Sequence, residues 1–170
     1  MTDTFNGQVP ITFDIGGKFG KNVFLGAYFG IAPGGVASAA LPGCPSNAQC
    51  TASSAAVRFG AQIQYNFLPD RGINPWIGYG IGIEANGISY TINNQTTDES
   101  MFGPEYGHFM GGVDFRLGKV VGLGPYVDFS LGRYNDTSIT DSDGTRHDYT
   151  FTHPTLHEWL QIGVRGVIFP

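Results

Sequence analysis

Between Val57 and Phe67 the chain alternates without a slip. Val57, Phe59, Ala61, Ile63, Tyr65 and Phe67 are apolar or aromatic, and Arg58, Gly60, Gln62, Gln64 and Asn66 are polar or lack a side chain. A period of two is the signature of a β-strand with two unlike faces. The polar face mixes glycine with amides and one arginine, and carries none of the lysine and glutamate that a water-facing strand prefers. That pairing fits a strand with lipid on one side and a narrow, crowded, polar interior on the other.

The same element recurs along the chain. Strands are predicted at Val9–Phe19, Val23–Ala32, the opening stretch to Leu68, Pro75–Ala85, Tyr106–Leu117, Pro125–Tyr134 and Glu158–Phe169. No segment reads as a helix, and no apolar run approaches the roughly 18 residues of a transmembrane helix. Short turns (Gly20–Asn22, Pro69–Gly72, Gly118–Leu123) alternate with three long polar loops at 33–54, 87–104 and 135–155. In 87–104, Ile88–Ile92 could extend the strand before it. The expected fold is therefore all-β, an up-and-down antiparallel transmembrane β-barrel in one domain spanning 1–170, with short turns periplasmic and long loops extracellular. Such barrels carry an even number of strands. Seven is odd, so one further strand, and a signal peptide, are expected ahead of Met1; the rival is that Met1–Gln8 itself supplies a poor edge strand. Composition agrees with lipid on one face: 14% of residues are charged and 14% aromatic, with 26 glycines, against about 25% charged in soluble domains. Mean hydropathy is −0.06, as expected when half the strand residues meet lipid and half do not. A net charge of −5 argues against a nucleic-acid partner.

Parity assigns an interior polar network: Asp14, Lys18, Arg58, Gln62, Gln64, Glu84, His108, Asp114, Arg116, Asp128, Gln161 and Arg165. Its charges balance, as they must where an unpaired buried charge is costly. If the hairpin pivots at Arg71, Arg58 lies opposite Glu84, and a salt bridge between them is expected; Arg116 and Asp128 are expected to meet across the next short turn. This network is either a polar plug or a conduit for ions and small solutes. Phe19, Tyr65, Phe67, Trp76, Tyr79 and Phe115 fall near the short-turn ends and are expected to form an aromatic girdle. The Gly78-x-Gly80-x-Gly82 run lies inside a strand with no helix after it, so it is not a dinucleotide fingerprint.

Segments such as Asn74-Pro75-Trp76-Ile77-Gly78-Tyr79-Gly80-Ile81-Gly82, Gly107-His108-Phe109-Met110-Gly111-Gly112-Val113-Asp114-Phe115 and Gly122-Leu123-Gly124-Pro125-Tyr126-Val127-Asp128-Phe129 resemble the small eight-stranded outer-membrane barrels of Gram-negative bacteria, the OmpA-like and OmpW-like group. The resemblance covers nearly the whole chain and speaks to architecture more than to activity. It implies a monomer in the outer membrane, in contact with lipid, with lipopolysaccharide and, during biogenesis, with the barrel-assembly machinery. One departure is the C-terminus: members usually end on an aromatic residue, whereas here Phe169 is followed by Pro170. In that oxidising compartment Cys44 and Cys50 are expected to form a loop disulfide.

No cofactor or metal is expected, and no Ser-His-Asp set has catalytic spacing, so an enzyme is not expected. His147, His153 and His157 with Asp148 offer a surface metal site only if the last loop gathers them. Asp141-Ser142-Asp143-Gly144 resembles the start of a calcium loop but lacks the acidic residue at its twelfth position. The rival from another class is a soluble, lipocalin-like barrel carrying an apolar ligand. It would turn the aromatic face inward and expose the glycine-rich one, which here lacks the charge a water-facing surface needs.

Overall fold

The computed structural model describes residues 5–6, 8–36, 50–150 and 156–168. Among them every regular element is a strand: β1 (Phe5–Asn6), β2 (Ile11–Phe19), β3 (Val23–Val36), β4 (Cys50–Asn66), β5 (Ile73–Ile92), β6 (Gln95–Arg116), β7 (Val121–Arg133), β8 (Asp136–Thr140), β9 (Arg146–Thr150) and β10 (Leu156–Ile168). Among the described residues no helix is long and apolar enough to cross a membrane. The strands form one antiparallel sheet in the order β1-β3-β4-β5-β6-β7-β10. β1 and β2 lie end to end along β3, and β7 and β8 end to end along β6. β9 pairs with β8.

The alternation read from the sequence is realised in β4. Even positions from Ser54 to Asn66 are buried or half-buried, and odd positions are exposed. The hairpin pivot is also right: Arg58 is the register partner of Glu84, and Asn66 of Trp76. Side chains of β10 reach those of β4 and β5 across the concave face (Arg165 Nη1 to Gln64 Oε1, 2.9 Å; Trp159 Nε1 to Glu84 Oε1, 3.0 Å), so the sheet is strongly curled. It is nevertheless not closed into a barrel. β2 and β10 form the two edges and are not paired with each other. They run in the same direction, and joining them directly would place a parallel pair in an otherwise antiparallel ladder.

The three long loops are a second correction. Their ends are drawn into strands: β3 runs to Val36 and β4 begins at Cys50. The 87–104 stretch is a continuous hairpin, with Ile92 paired to Gln95. It turns on Asn93 and Asn94, whose φ values of 48° and 66° are those of the two-residue turn that matches strand twist. The 135–155 stretch contains the β8–β9 hairpin, closed at Asp141–Thr145 by Asp141 N to Thr145 O and Gly144 N to Asp141 O, 2.9 Å each. The Asp141–Gly144 motif is thus a turn, with Gly144 at φ 86°. At the opposite end the short turns are tied together: Lys21 in the β2–β3 turn meets Asp70 in the β4–β5 turn at 2.7 Å. Each partner favours the other's charged form, raising the lysine pKa and lowering the aspartate one.

Candidate functional site

Inward-facing side chains fill the concave face of the sheet in three tiers. The middle tier is built around Arg58. Its Nη1 donates to Glu105 Oε1 at 3.1 Å and to Ser130 Oγ at 2.9 Å. Glu105 Oε2 also accepts from the Tyr28 hydroxyl at 2.5 Å, and His108 Nε2 meets Asp128 Oδ2 at 2.5 Å. Tyr28 stands edge-on to His108, with ring centroids 4.6 Å apart. All six side chains are buried.

Glycine spacing makes the seat for Tyr28. A Cβ at Gly60 would lie 2.5 Å from the Tyr28 hydroxyl and one at Gly80 3.0 Å from its ring; one at Gly82 would strike the hydroxyl as well. The alternate glycines of β5 are therefore the groove in which an aromatic from β3 lies.

The tier toward the long hairpins centres on Glu84. It accepts from Trp159 Nε1 at 3.0 Å, from the Tyr134 hydroxyl, and meets His157 Nε2 at 3.1 Å. Tyr134 stacks on His157, with centroids 4.2 Å apart, and packs with Ile88 and Met101 in an apolar cap. In the tier toward the short turns, Trp76 Nε1 donates to Asp114 Oδ1 at 3.2 Å, and Arg165 lies over the Trp76 ring at 4.1 Å. Arg165 also donates to Gln64, whose Nε2 donates to Gln62 Oε1 at 3.0 Å.

Several pairings differ from those expected. Arg58 and Glu84 are register partners, yet each turns to others: Arg58 to Glu105, Glu84 to Tyr134, Trp159 and His157. The reason is a bulge in β6 between Glu105 and Gly107. The extra residue reverses parity beyond it, so Glu105 points inward, Tyr106 points outward, and a second carboxylate comes within reach of Arg58. Arg116 does not meet Asp128. It donates to Pro69 O at 2.8 Å, while Asp128, in register with Met110 rather than with Arg116, takes His108. Trp76 is only 3% exposed and belongs to the interior, not to the girdle; Phe19, Tyr65, Phe67, Tyr79 and Phe115 are exposed. Asp14 and Lys18 lie on the inward side of β2 but are exposed, because they sit on the open edge. Gln161 is half-buried on β10.

The four-to-four charge balance becomes five acids to four bases once Glu105 is included, and His108 and His157 each stand against a carboxylate. His157 was expected in a loop cluster; it faces inward instead, and His147 faces Asp141 at 3.5 Å on the surface. His153 lies outside the described residues, among which no group of three metal-ligating side chains occurs. Cys50 is disulfide-bonded; Cys44 lies outside the described residues. Ser130, Tyr134 and Trp159 share the parity of their inward neighbours and were legible by alternation. Glu105 was not, since no sequence period announces a bulge.

His108 on β6 stands beside Asp128 and Ser130 on β7, the residue types of a hydrolytic set. However, Ser130 Oγ accepts from Arg58, and Ser130 and His108 are 0% and 1% exposed. The arrangement binds its own groups together and offers no reacting atom to solvent. What the fold establishes is a class: an all-β, up-and-down antiparallel sheet with a polar concave face and no helix among the described residues. No family model, curated protein or solved structure matches the chain.

Proposed function

We propose that this chain is an integral protein of the Gram-negative outer membrane, an OmpA- or OmpW-like barrel, monomeric and non-enzymatic, whose interior is a charge-paired plug that holds the strands in register. The observation that carries this reading is the inversion of the usual core. Arg58, Gln64, Glu84, Glu105, His108, Asp114 and Asp128 are buried, while Ile63, Ile77, Ile81, Phe109, Val127 and Ile162 are 46%, 56%, 54%, 48%, 46% and 81% exposed. A monomer in water rarely exposes a contiguous apolar patch beyond a few hundred Å², whereas a lipid-facing belt demands one. Short turns at one end and long hairpins at the other support the same orientation in the membrane, with lipid and lipopolysaccharide as partners. The lipocalin-like carrier needs the apolar rows on the concave face, and they lie on the convex one.

A second reading, passage of water or small ions, is favoured by Gln62 Nε2, His108 Nδ1 and Asp128 Oδ1, which are buried without a hydrogen-bond partner. The test of the leading reading is refolding in detergent followed by transfer to phospholipid vesicles. The chain should partition into the vesicles and migrate differently on dodecyl sulfate gels before and after boiling. A monomer that stays in buffer and shows no shift sinks the membrane reading.

A further inference from the structure

We propose that the open seam between β2 and β10 is a strand-acceptor site. It takes one extended segment, antiparallel to both edges, with apolar residues on the convex side and small or polar residues on the concave side. Four observations converge on it. First, every step from β2 through β3, β4, β5, β6 and β7 to β10 is antiparallel, so the two edges run the same way. A single intervening strand is antiparallel to both and completes two ladders at once.

Second, burial falls away toward the seam. Asp14, Gly16 and Lys18 on the inward side of β2 are exposed, whereas Gln62, Gln64 and Glu84 at the centre of the sheet are buried. Third, a cavity of about 310 Å³ is lined by Gln8, Pro10 and Ala32 on one side and by Trp159 to Ile162 on the other. Fourth, two of its lining residues hold buried polar atoms without a partner, the donor Gln8 Nε2 and the acceptor Gln161 Oε1. A strand backbone entering there carries the carbonyl and the N–H that these two atoms lack.

Unpaired strand edges bind extended segments through main-chain hydrogen bonds, with alternate side chains setting specificity. The edges are 9 and 13 residues long, which sets the length of the occupant. A second copy of the chain is a poorer occupant. Antiparallel pairing of like edges needs a two-fold axis across the strands, which would set the short turns of one molecule on the side of the membrane where its partner has the long hairpins.

The proposal rests on the barrel reading above, so lipid partition of the chain alone is scored in parallel. The probe is a synthetic peptide with the sequence of residues 57–67, the clearest alternating strand in the chain. A period-broken peptide of the same composition and a peptide N-methylated at alternate amides serve as comparisons. The full chain, refolded in detergent, is mixed with each, and stoichiometry is read by native mass spectrometry and amide exchange by residue.

The expected result is a one-to-one complex with the alternating peptide only. Exchange should slow at least about tenfold in both Ile11–Phe19 and Leu156–Ile168, and the N-methylated peptide should lose the effect on one edge or both. Equal binding of the period-broken peptide, absence of protection at either edge, or dimers whose edges are protected without peptide would each overturn it. A chain that binds the peptide but stays out of vesicles keeps the seam and loses the membrane reading; a chain that enters vesicles but ignores the peptide does the reverse.

Discussion

Arg58 carries the clearest test at the scale of single residues. Removing one partner of a buried ion pair leaves the other charge without compensation, at a cost of about 3–5 kcal/mol. Arg58→Ala and Glu105→Ala should each destabilise by that much, and the double variant should cost much less than the sum. A double-mutant cycle read by denaturant unfolding should therefore give a coupling of about 1–3 kcal/mol for Arg58 with Glu105, and a smaller one for Arg58 with Glu84. The reverse ranking would show that the register partner, not the residue delivered by the bulge, is the real counter-ion. Glycines provide a second contrast. Gly82→Ala drives a methyl onto both the Tyr28 hydroxyl and the Phe59 carbonyl oxygen and should cost about 1–3 kcal/mol, the usual range for overpacking. Gly17→Ala meets nothing within 4 Å and should be neutral or stabilising by up to about 1 kcal/mol through the unfolded chain. Equal melting shifts for the two would remove Tyr28 from its glycine seat. At this scale alternation made the interior legible, from Arg58 and Gln64 to Asp128 and Arg165, but not who pairs with whom. Pairing depends on side-chain reach across the curled sheet, as when Trp159 of β10 finds Glu84 of β5.

Elements tell a different story, because the seven main strands were legible while their extent, and the β8–β9 hairpin, were not. The polar composition of Gly87–Pro104 reads as loop, yet the ladder between β5 and β6 runs through it to the turn at Asn93 and Asn94. Polar strands that rise beyond an apolar belt lose the hydrophobic alternation and keep only their backbone pairing, to which composition is blind. The bulge at Glu105 escaped for a related reason: it is one extra residue in a ladder, and either parity taken alone is a plausible strand. The two asparagines are the exception, since Asn is enriched at positive φ and a two-residue turn of this kind requires it at both positions. Asn94→Gly should leave the hairpin intact, whereas Asn94→Val should cost about 1–2 kcal/mol, the penalty for a left-handed conformation with a branched side chain. Amide exchange across residues 87–104 checks this. Protection on both sides of the turn should persist in Asn94→Gly and weaken in Asn94→Val. Uniformly fast exchange in the parent chain would restore the loop that the composition suggested.

For the molecule as a whole, the question is whether the curled sheet conducts. The largest fully buried side chains among the described residues, Tyr28, His108, Gln64, Glu84, Glu105, Asn86 and Ser130, are polar and stand in the space an open pore would need. Tyr28 crosses from β3 to Glu105 on β6 and leans on His108, so it spans the middle tier, where Arg58 closes the remaining gap toward Ser130. Removing Tyr28 should therefore widen the interior more than removing any residue at its ends. In planar bilayers the parent chain should pass little or no current. Tyr28→Ala should open measurable conductance while vesicle partition is unchanged, because its ring does not touch the convex face. Trp76→Ala, which empties space beside Arg165 in the tier nearest the short turns, should leave the middle tier closed and the current near the parent level. Conductance in the parent comparable to that of Tyr28→Ala would show that the orphaned polar atoms of Gln62, His108 and Asp128 already line a path, and the passage reading would replace the plug. If neither variant conducts while both remain in the bilayer, the interior is sealed by the shared network rather than by one ring, and the polar tiers act as a single structural unit.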